Sequence, residues 1–202
     1  MTTHVPDADR RNHTIDYFRE LLPLIPTSAR TALDVGCGEG FAARELAARG
    51  LEVTALDVDA ASIALAHEQD CAGITYVEAD FMTAELAGGF DVVTLLAVLH
   101  HLDMDRALQR ATALLSPGGT LLVVGLAASE LPRDAAWELA AVVAHQAGRP
   151  RHRQWEQPSP TVWPPPVTYG QVRAAAVRIL PGSTYRRRAK WRYTLTWVRP
   201  AD

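Results

Sequence analysis

The stretch Leu33-Asp34-Val35-Gly36-Cys37-Gly38-Glu39-Gly40 sets three alternating glycines where an apolar run gives way to a helical pattern. Glycine lets the backbone turn sharply there and lets a ligand approach without a Cβ in the way. Dinucleotide enzymes use a similar loop, but their G-x-G-x-x-G spacing needs a glycine at position 41, where this chain carries Phe41. A bulky residue at that point disfavours a pyrophosphate seat. Asp57 follows Gly36 by 21 positions and ends the next apolar run. A carboxylate so placed can accept hydrogen bonds from both hydroxyls of a ribose. Asp59 reads better as the N-cap of the helix that begins after it. Asp80-Phe81, after a third apolar run, could accept from an adenine amino group and cover the ring face.

Groups that could act on an acceptor are less sharply marked. His100 and His101 fall just past the fourth strand, at the sheet edge where ligands of open α/β folds collect. Imidazole titrates near neutrality and suits a general base, with His101 the favoured candidate. His13 and Tyr17, four apart, share a helix face, while Trp137, Trp155 and Trp163 could wall an acceptor pocket. The basic run Arg186, Arg187, Arg188, Lys190 and Arg192 alternates along a strand, placing Arg186, Arg188 and Lys190 on one face. Charges of that kind protect a sheet edge, and no aromatic-basic platform for nucleic acid accompanies them.

These residues need a frame that brings them to one place. Hydrophobic patterning predicts strands over 31–35, 52–57, 74–79, 91–96 and 120–125, alternating with helices over 39–49, 60–69 and 103–115. Repeated β-α units with short turns require parallel strands joined by right-handed crossovers. An amphipathic helix over 14–24 precedes them, closed by Pro23 and Pro26. Residues 126–167 break the rhythm and read as an insertion, with a helix over 131–147 and a proline-rich continuation. A helix over 169–180 and two closing strands, 184–190 and 192–198, form the end. The expected fold is a doubly wound, Rossmann-like, mostly parallel seven-stranded sheet with an antiparallel C-terminal strand, in one domain over 1–202.

Composition agrees with such a domain. The chain has 202 residues, 48% of them hydrophobic and 21% charged, enough to bury a sizeable core. A net charge of -3 does not suit a general polyanion binder. Cys37 and Cys71 have neither the number nor the spacing of a disulfide framework or a zinc site, so no metal is expected. No apolar run approaches the ~20 residues that span a bilayer. The expectation is a cytoplasmic protein without membrane or nucleic-acid partners, monomeric or homodimeric.

The glycine loop, Asp57 and Asp80-Phe81, together with Phe90-Asp91-Val92-Val93, Leu99-His100-His101-Leu102 and Leu115-Ser116-Pro117-Gly118-Gly119, resemble the class I S-adenosylmethionine-dependent methyltransferases. The resemblance is specific over residues 31–125 and looser to residue 198. It implies a cofactor seat in which Gly36 and Gly38 shape the place of the methionine part, with Asp34 beneath the loop. Asp57 would hold the ribose and Val58 would pack on the adenine. Asp80 would bind the adenine amino group and Phe81 would line that pocket. Leu96 and Ala97 would offer backbone carbonyls to the cofactor ammonium. Residues 1–30 and 126–167 would then close over a small-molecule acceptor, methylated by in-line displacement. The same seat could also serve a non-methylating enzyme or a cofactor-binding protein.

Overall fold

A computed structural model describes residues 6–69, 71–147, 164–189 and 191–201, apart from the side chains of Glu138 and residues 144–147. Seven strands form one sheet: β1 (Thr31–Val35), β2 (Glu52–Asp57), β3 (Ile74–Glu78), β4 (Phe90–Leu96), β5 (Leu115–Leu126), β6 (Thr184–Arg188) and β7 (Arg192–Val198). Their spatial order is β3-β2-β1-β4-β5-β7-β6. The first five run parallel, and β7 is antiparallel to both of its neighbours. The chain therefore reverses between β1 and β4, and the carboxyl ends of β1, β2 and β4 open on the same crevice, the usual ligand position in such sheets.

Helices cover both faces: α1 (His13–Leu21), α2 (Phe41–Ala47), α3 (Ala60–His67), α4 (Met104–Leu114), α5 (Ala135–Ala147) and α6 (Tyr169–Ile179). Strand alternation divides the core in two. Ala32, Val53, Ala55, Val92, Leu122 and Val124 face Ile15, Phe18 and Leu46 on the side of α1 and α2. Leu33, Val35, Val93, Leu95, Leu121 and Tyr193 face Leu108, Val172 and Ala176 on the side of α4 and α6. A period of two on strands buried on both faces is what a doubly wound sheet requires.

Local sequence fixes where the helices begin. The Asn12 side chain accepts from the Ile15 N–H, Asp59 from the Ser62 N–H, and Asp103 from the Arg106 N–H. Thr168 and Gln171 make a reciprocal capping box at the head of α6. Several expected boundaries shift, among them the start of β5, which begins at Leu115 and not at residue 120. The helix expected from residue 131 starts at Ala135, because Pro132 sits in a turn that Asp134 closes by accepting from the Glu130 N–H at 2.7 Å. Strand β6 stops at Arg188, and the chain turns through Trp191, whose φ is 59°. Ala128 bridges Thr168 in parallel, which pinches the two ends of the expected insertion together.

Candidate functional site

Gly36, Gly38 and Gly40 all adopt the left-handed backbone region, with φ of 65°, 56° and 85°. A side chain at residue 36 would also collide with its surroundings, since a Cβ there would lie 2.4 Å from Val98 Cγ2. The loop thus passes flush against Val98, two residues past the end of β4. Its apex is held by Asp57: Oδ2 accepts from the Gly38 N–H at 2.8 Å, and Oδ1 accepts from the Asp59 N–H at 2.9 Å. Each oxygen keeps a second lone pair free to accept. Asp57 is therefore a bridge between two loops, not a solvated turn residue. Beside it Val58 is 72% exposed, an apolar side chain open at the carboxyl end of β2.

Asp34 lies below the loop, 1% exposed. Its Oδ1 accepts from Thr94 Oγ1 at 2.6 Å, while Oδ2 is buried without a hydrogen-bond partner. Burial pushes its carboxyl up to about 7, against the Thr94 hydrogen bond and with some help from the Asp57 charge. A cavity of about 20 Å³ adjoins it, lined by Thr14, Ile15, Asp34, Gly36, Cys37 and Leu96 among others. That volume holds roughly one water-sized group. Ala97, next to Leu96, has φ 56°, rare for a residue with a side chain, and is pinned by its N–H to Val124 O at 2.7 Å. Strain of this sort persists where the surroundings over-determine the backbone.

Asp80 is exposed, with Oδ1 accepting from the Met82 N–H at 2.8 Å. Phe81 follows on the inner side of that turn. Its ring is 3% exposed and packs in the α4-side core, with the Arg110 guanidinium 5.4 Å from its centroid. The ring faces the α4 layer because Asp80, which opens a turn by accepting from Thr83 and Ala84, directs the next side chain inward.

His100 and His101 sit in a single 3-10 turn, Leu99–His101, with ring centroids 4.1 Å apart. His100 is buried, and its Nδ1 has no hydrogen-bond partner. Burial first, then the nearby His101 and Arg192 charges, hold its imidazole down at about 4. His101 is exposed at the carboxyl edge of the sheet. The Arg192 Nε donates to Thr14 Oγ1 at 3.1 Å, so a half-buried cation from the start of β7 reaches α1.

The remaining candidates scatter. His13 is half-buried on α1. Tyr17 donates its hydroxyl to Ala189 O at 3.2 Å and stacks under Arg188 at 5.1 Å, fastening α1 to the β6-β7 hairpin. Trp137 is 47% exposed and faces Arg187 at 5.1 Å. Trp155 and Trp163 lie outside the described residues, as does Lys190. The basic run does more than guard an edge. Arg187 pairs with Asp134 at 2.7 Å on one face, and Arg188 pairs with Glu20 at 3.1 Å on the other. Alternation along β6 delivers the two guanidiniums to opposite layers.

A group that sequence reasoning passed over is built around Glu39. Arg10 Nη1 donates to both Glu39 oxygens at 2.8 and 2.7 Å, and Arg44 Nη2 to the same pair at 3.1 and 3.0 Å. Asp7 in turn accepts from Arg44 at 2.6 and 3.0 Å. The segment ahead of α1 is thereby tied to the glycine loop. The one sequence signal was a glutamate inside a loop about to enter the core, which needs a cation near it. Among the described residues, no three or more His, Cys, Asp or Glu side chains converge as metal ligands, and no helix is long and apolar enough to cross a membrane.

Comparison with known proteins supplies the family. A model described as a methyltransferase domain matches residues 33–123. The chain is 40% identical over 192 residues to an uncharacterised methyltransferase of Mycobacterium tuberculosis, covering 94% of this chain and 97% of that protein. It is 36% identical over 102 residues to a ubiquinone biosynthesis O-methyltransferase of Pseudomonas paraeruginosa, covering 48% of this chain and 44% of that one. Among solved structures, phosphoethanolamine N-methyltransferase 2 of Haemonchus contortus, in complex with S-adenosyl-L-methionine, matches with a TM-score of 0.63 at 17% identity, over 94% of this chain and 52% of that one. The N-methyltransferase NodS of Bradyrhizobium japonicum, in complex with S-adenosyl-L-homocysteine, matches at 0.61 and 19% identity, over 94% and 89%. At such identities the structural likeness speaks to the fold.

Proposed function

This chain belongs to the class I S-adenosylmethionine-dependent methyltransferases, and we propose that it moves the methyl group of that cofactor to a small-molecule acceptor by in-line displacement. The observation that carries the reading is the unpartnered Asp34 Oδ2 beside an ammonium-sized cavity under the glycine loop. A buried carboxylate oxygen without a donor is costly unless a cation or donor arrives, and the methionine ammonium is such a group. Leu96 and Ala97 would supply backbone carbonyls on the other side, Ala97 through its left-handed turn. Gly36 and Gly38 leave room for the methionine chain. Asp57 would take the ribose hydroxyls with its remaining lone pairs, Val58 would lie against the adenine, and Asp80 would accept from the adenine amino group. Phe81 supports that wall from within the core.

When bound, the cofactor supplies a methyl carbon already activated by a sulfonium, so the protein mainly has to position the acceptor and exclude water. The acceptor approaches at the carboxyl edge beside the 3-10 turn, where Arg192 reaches Thr14 of α1 at 3.1 Å and its charge acts on His100. His101, exposed there, is the base for a hydroxyl acceptor. His100 stays neutral behind it and packs its ring.

Asp57→Ala should weaken cofactor binding by about 1–3 kcal/mol, because the ribose loses a charged acceptor and the Gly38 N–H loses its anchor. Calorimetric titration of the folded variant checks this, and wild-type affinity would assign the ribose to another acid. Asp34→Asn should weaken binding and at the same time stabilise the cofactor-free protein above pH 7. The sign follows from the raised carboxyl: the native state holds its proton up to about 7 while the unfolded chain releases it near the usual carboxylate value, so stability falls as pH rises between the two. Removing the charge removes that loss. The same carboxyl must ionise to meet an ammonium, so wild-type affinity should fall as pH drops from 8 to 6, and the dependence should be absent in the variant. Melting temperature and affinity measured across that range test both halves.

The activity itself is tested with methyl-labelled cofactor and a panel of phenols, amines and thiols. Labelled product with an equal amount of S-adenosylhomocysteine supports the reading. Cofactor bound tightly with no product from any acceptor class, while the cofactor is retained unchanged, speaks for a binding protein.

A further inference from the structure

On the α4 and α6 side of the sheet, at the carboxyl end of β6, lies a cavity of about 360 Å³ lined by Glu130, Arg133, Asp134, Trp137, Tyr169, Gly170, Arg173, Tyr185 and Arg187. It is separate from the cofactor seat: β6 stands three strands from β4 in the order of the sheet, about 14 Å away at the usual strand spacing. It is also far larger than the cavity beside Asp34 and faces the opposite layer.

Its construction is specific. The Arg187 guanidinium lies 3.9 Å over the Tyr169 ring and 5.1 Å from that of Trp137, and it is locked in place by Asp134 Oδ1 at 2.7 Å and Ser129 Oγ at 2.9 Å. Together these groups line the cavity with two aromatic rings and a guanidinium, polarisable groups on which aromatic rings stack. Deeper in, the Tyr185 hydroxyl is buried and has no hydrogen-bond partner. Burial raises that phenol, so it remains a donor at ordinary pH. The lining carries three arginines and two acids. Both acids are already engaged, Asp134 with Arg187 and Glu130 with Arg133 at 3.7 Å. Arg173 has no ion-pair partner among the described residues. The cavity therefore offers a stacking wall, one waiting donor and a surplus positive charge. A flat ring carrying an anionic oxygen satisfies all three.

We propose that this cavity is a second binding site, for a planar aromatic ligand bearing a carboxylate or similar anion, with the ring against Trp137 and Arg187 and the anion between Arg173 and the Tyr185 hydroxyl. The site goes beyond the methyl-transfer reading and does not depend on it, because its occupancy is read without turnover.

The test uses three probes of one size: benzoate, its neutral isostere benzamide, and the non-aromatic cyclohexanecarboxylate. Binding to the full chain is followed by ligand-detected nuclear magnetic resonance, with and without S-adenosylmethionine. Benzoate should bind saturably, and the other two at least 10-fold more weakly. Tyr185→Phe and Arg173→Gln should each weaken benzoate by about 5-fold or more, the scale of one lost charge-assisted hydrogen bond. Arg173 is exposed, so its variant keeps the fold. Cofactor affinity should not change in either variant, which separates this site from the cofactor seat. Equal binding of benzoate and benzamide, or benzoate binding untouched in both variants, overturns the proposal. If benzoate behaves as expected while S-adenosylmethionine does not bind, only the methyltransferase reading fails.

Discussion

Gly36→Val should abolish measurable cofactor binding, a loss of at least about 100-fold, or roughly 3 kcal/mol. Two independent effects converge on the position. The φ of 65° puts a branched residue in a backbone region that costs it about 1–2 kcal/mol, and its Cβ would lie 2.4 Å from Val98 Cγ2. Val98 follows Ala97, whose own left-handed turn aims the carbonyls at the end of β4, so relief of the clash must come from the residues that frame the seat. The variant should also be less stable by about 1–3 kcal/mol from overpacking. Gly118→Ala provides the control. It carries the same left-handed strain, φ 77°, with nothing within 4 Å of the added Cβ, near the start of β5. It should lose about 1 kcal/mol of stability and keep wild-type affinity. Denaturant unfolding and cofactor titration of both variants separate strain from occupation of the site. Equal affinity in Gly36→Val and Gly118→Ala would take the loop out of the site.

His101→Ala should lower the rate of methyl transfer to a hydroxyl acceptor by about 10²–10⁴ while leaving cofactor affinity close to that of the wild type. The two histidines make different predictions for pH. His100 is held neutral down to about 4 by its burial and by the charges of His101 and Arg192, so an acid limb near neutrality cannot come from it. If the wild-type rate falls on such a limb and the limb disappears in His101→Ala, the exposed imidazole is the base. His100→Gln should affect stability instead. The neutral form is favoured in the native state, so the wild type should lose stability as pH falls from about 6.5 through 4, and the variant should lose less. Single-turnover rates against pH decide the first point and thermal unfolding against pH the second. Matching rate profiles for wild type and His101→Ala would leave positioning as the main source of rate.

Much of the frame was legible because its signals are local. The strands over 31–35, 52–57 and 192–198 end where their apolar runs end, and the Asp59, Asp103 and Thr168 caps start helices where cap residues precede them. The glycine alternation likewise announces three left-handed turns in succession. What was not legible depends on partners far apart in the chain. Glu39 opened the helix expected over 39–49, and nothing beside it in the chain announced Arg10, 29 positions earlier, as its partner. The state of Asp34 depends on Thr94, 60 positions later, and on the absence of any donor for its second oxygen. Nothing near Phe81 in the chain announces Arg110, 29 positions later, whose guanidinium lies 5.4 Å from its ring centroid. Alternation along the basic run was legible, but the partners to which it delivers Arg187 and Arg188, Asp134 and Glu20, were not.

The central claim is that the carboxyl edge of β1, β2 and β4 seats S-adenosylmethionine through Asp34, the glycine loop and Asp57. Equilibrium dialysis of radiolabelled S-adenosylmethionine against the purified chain tests it most directly. One saturable equivalent per chain is expected, displaced by S-adenosylhomocysteine, unaffected by excess nicotinamide adenine dinucleotide, and strongly reduced in Asp57→Ala. Absence of saturable binding to the folded protein, or displacement by the dinucleotide at comparable concentration, would contradict it.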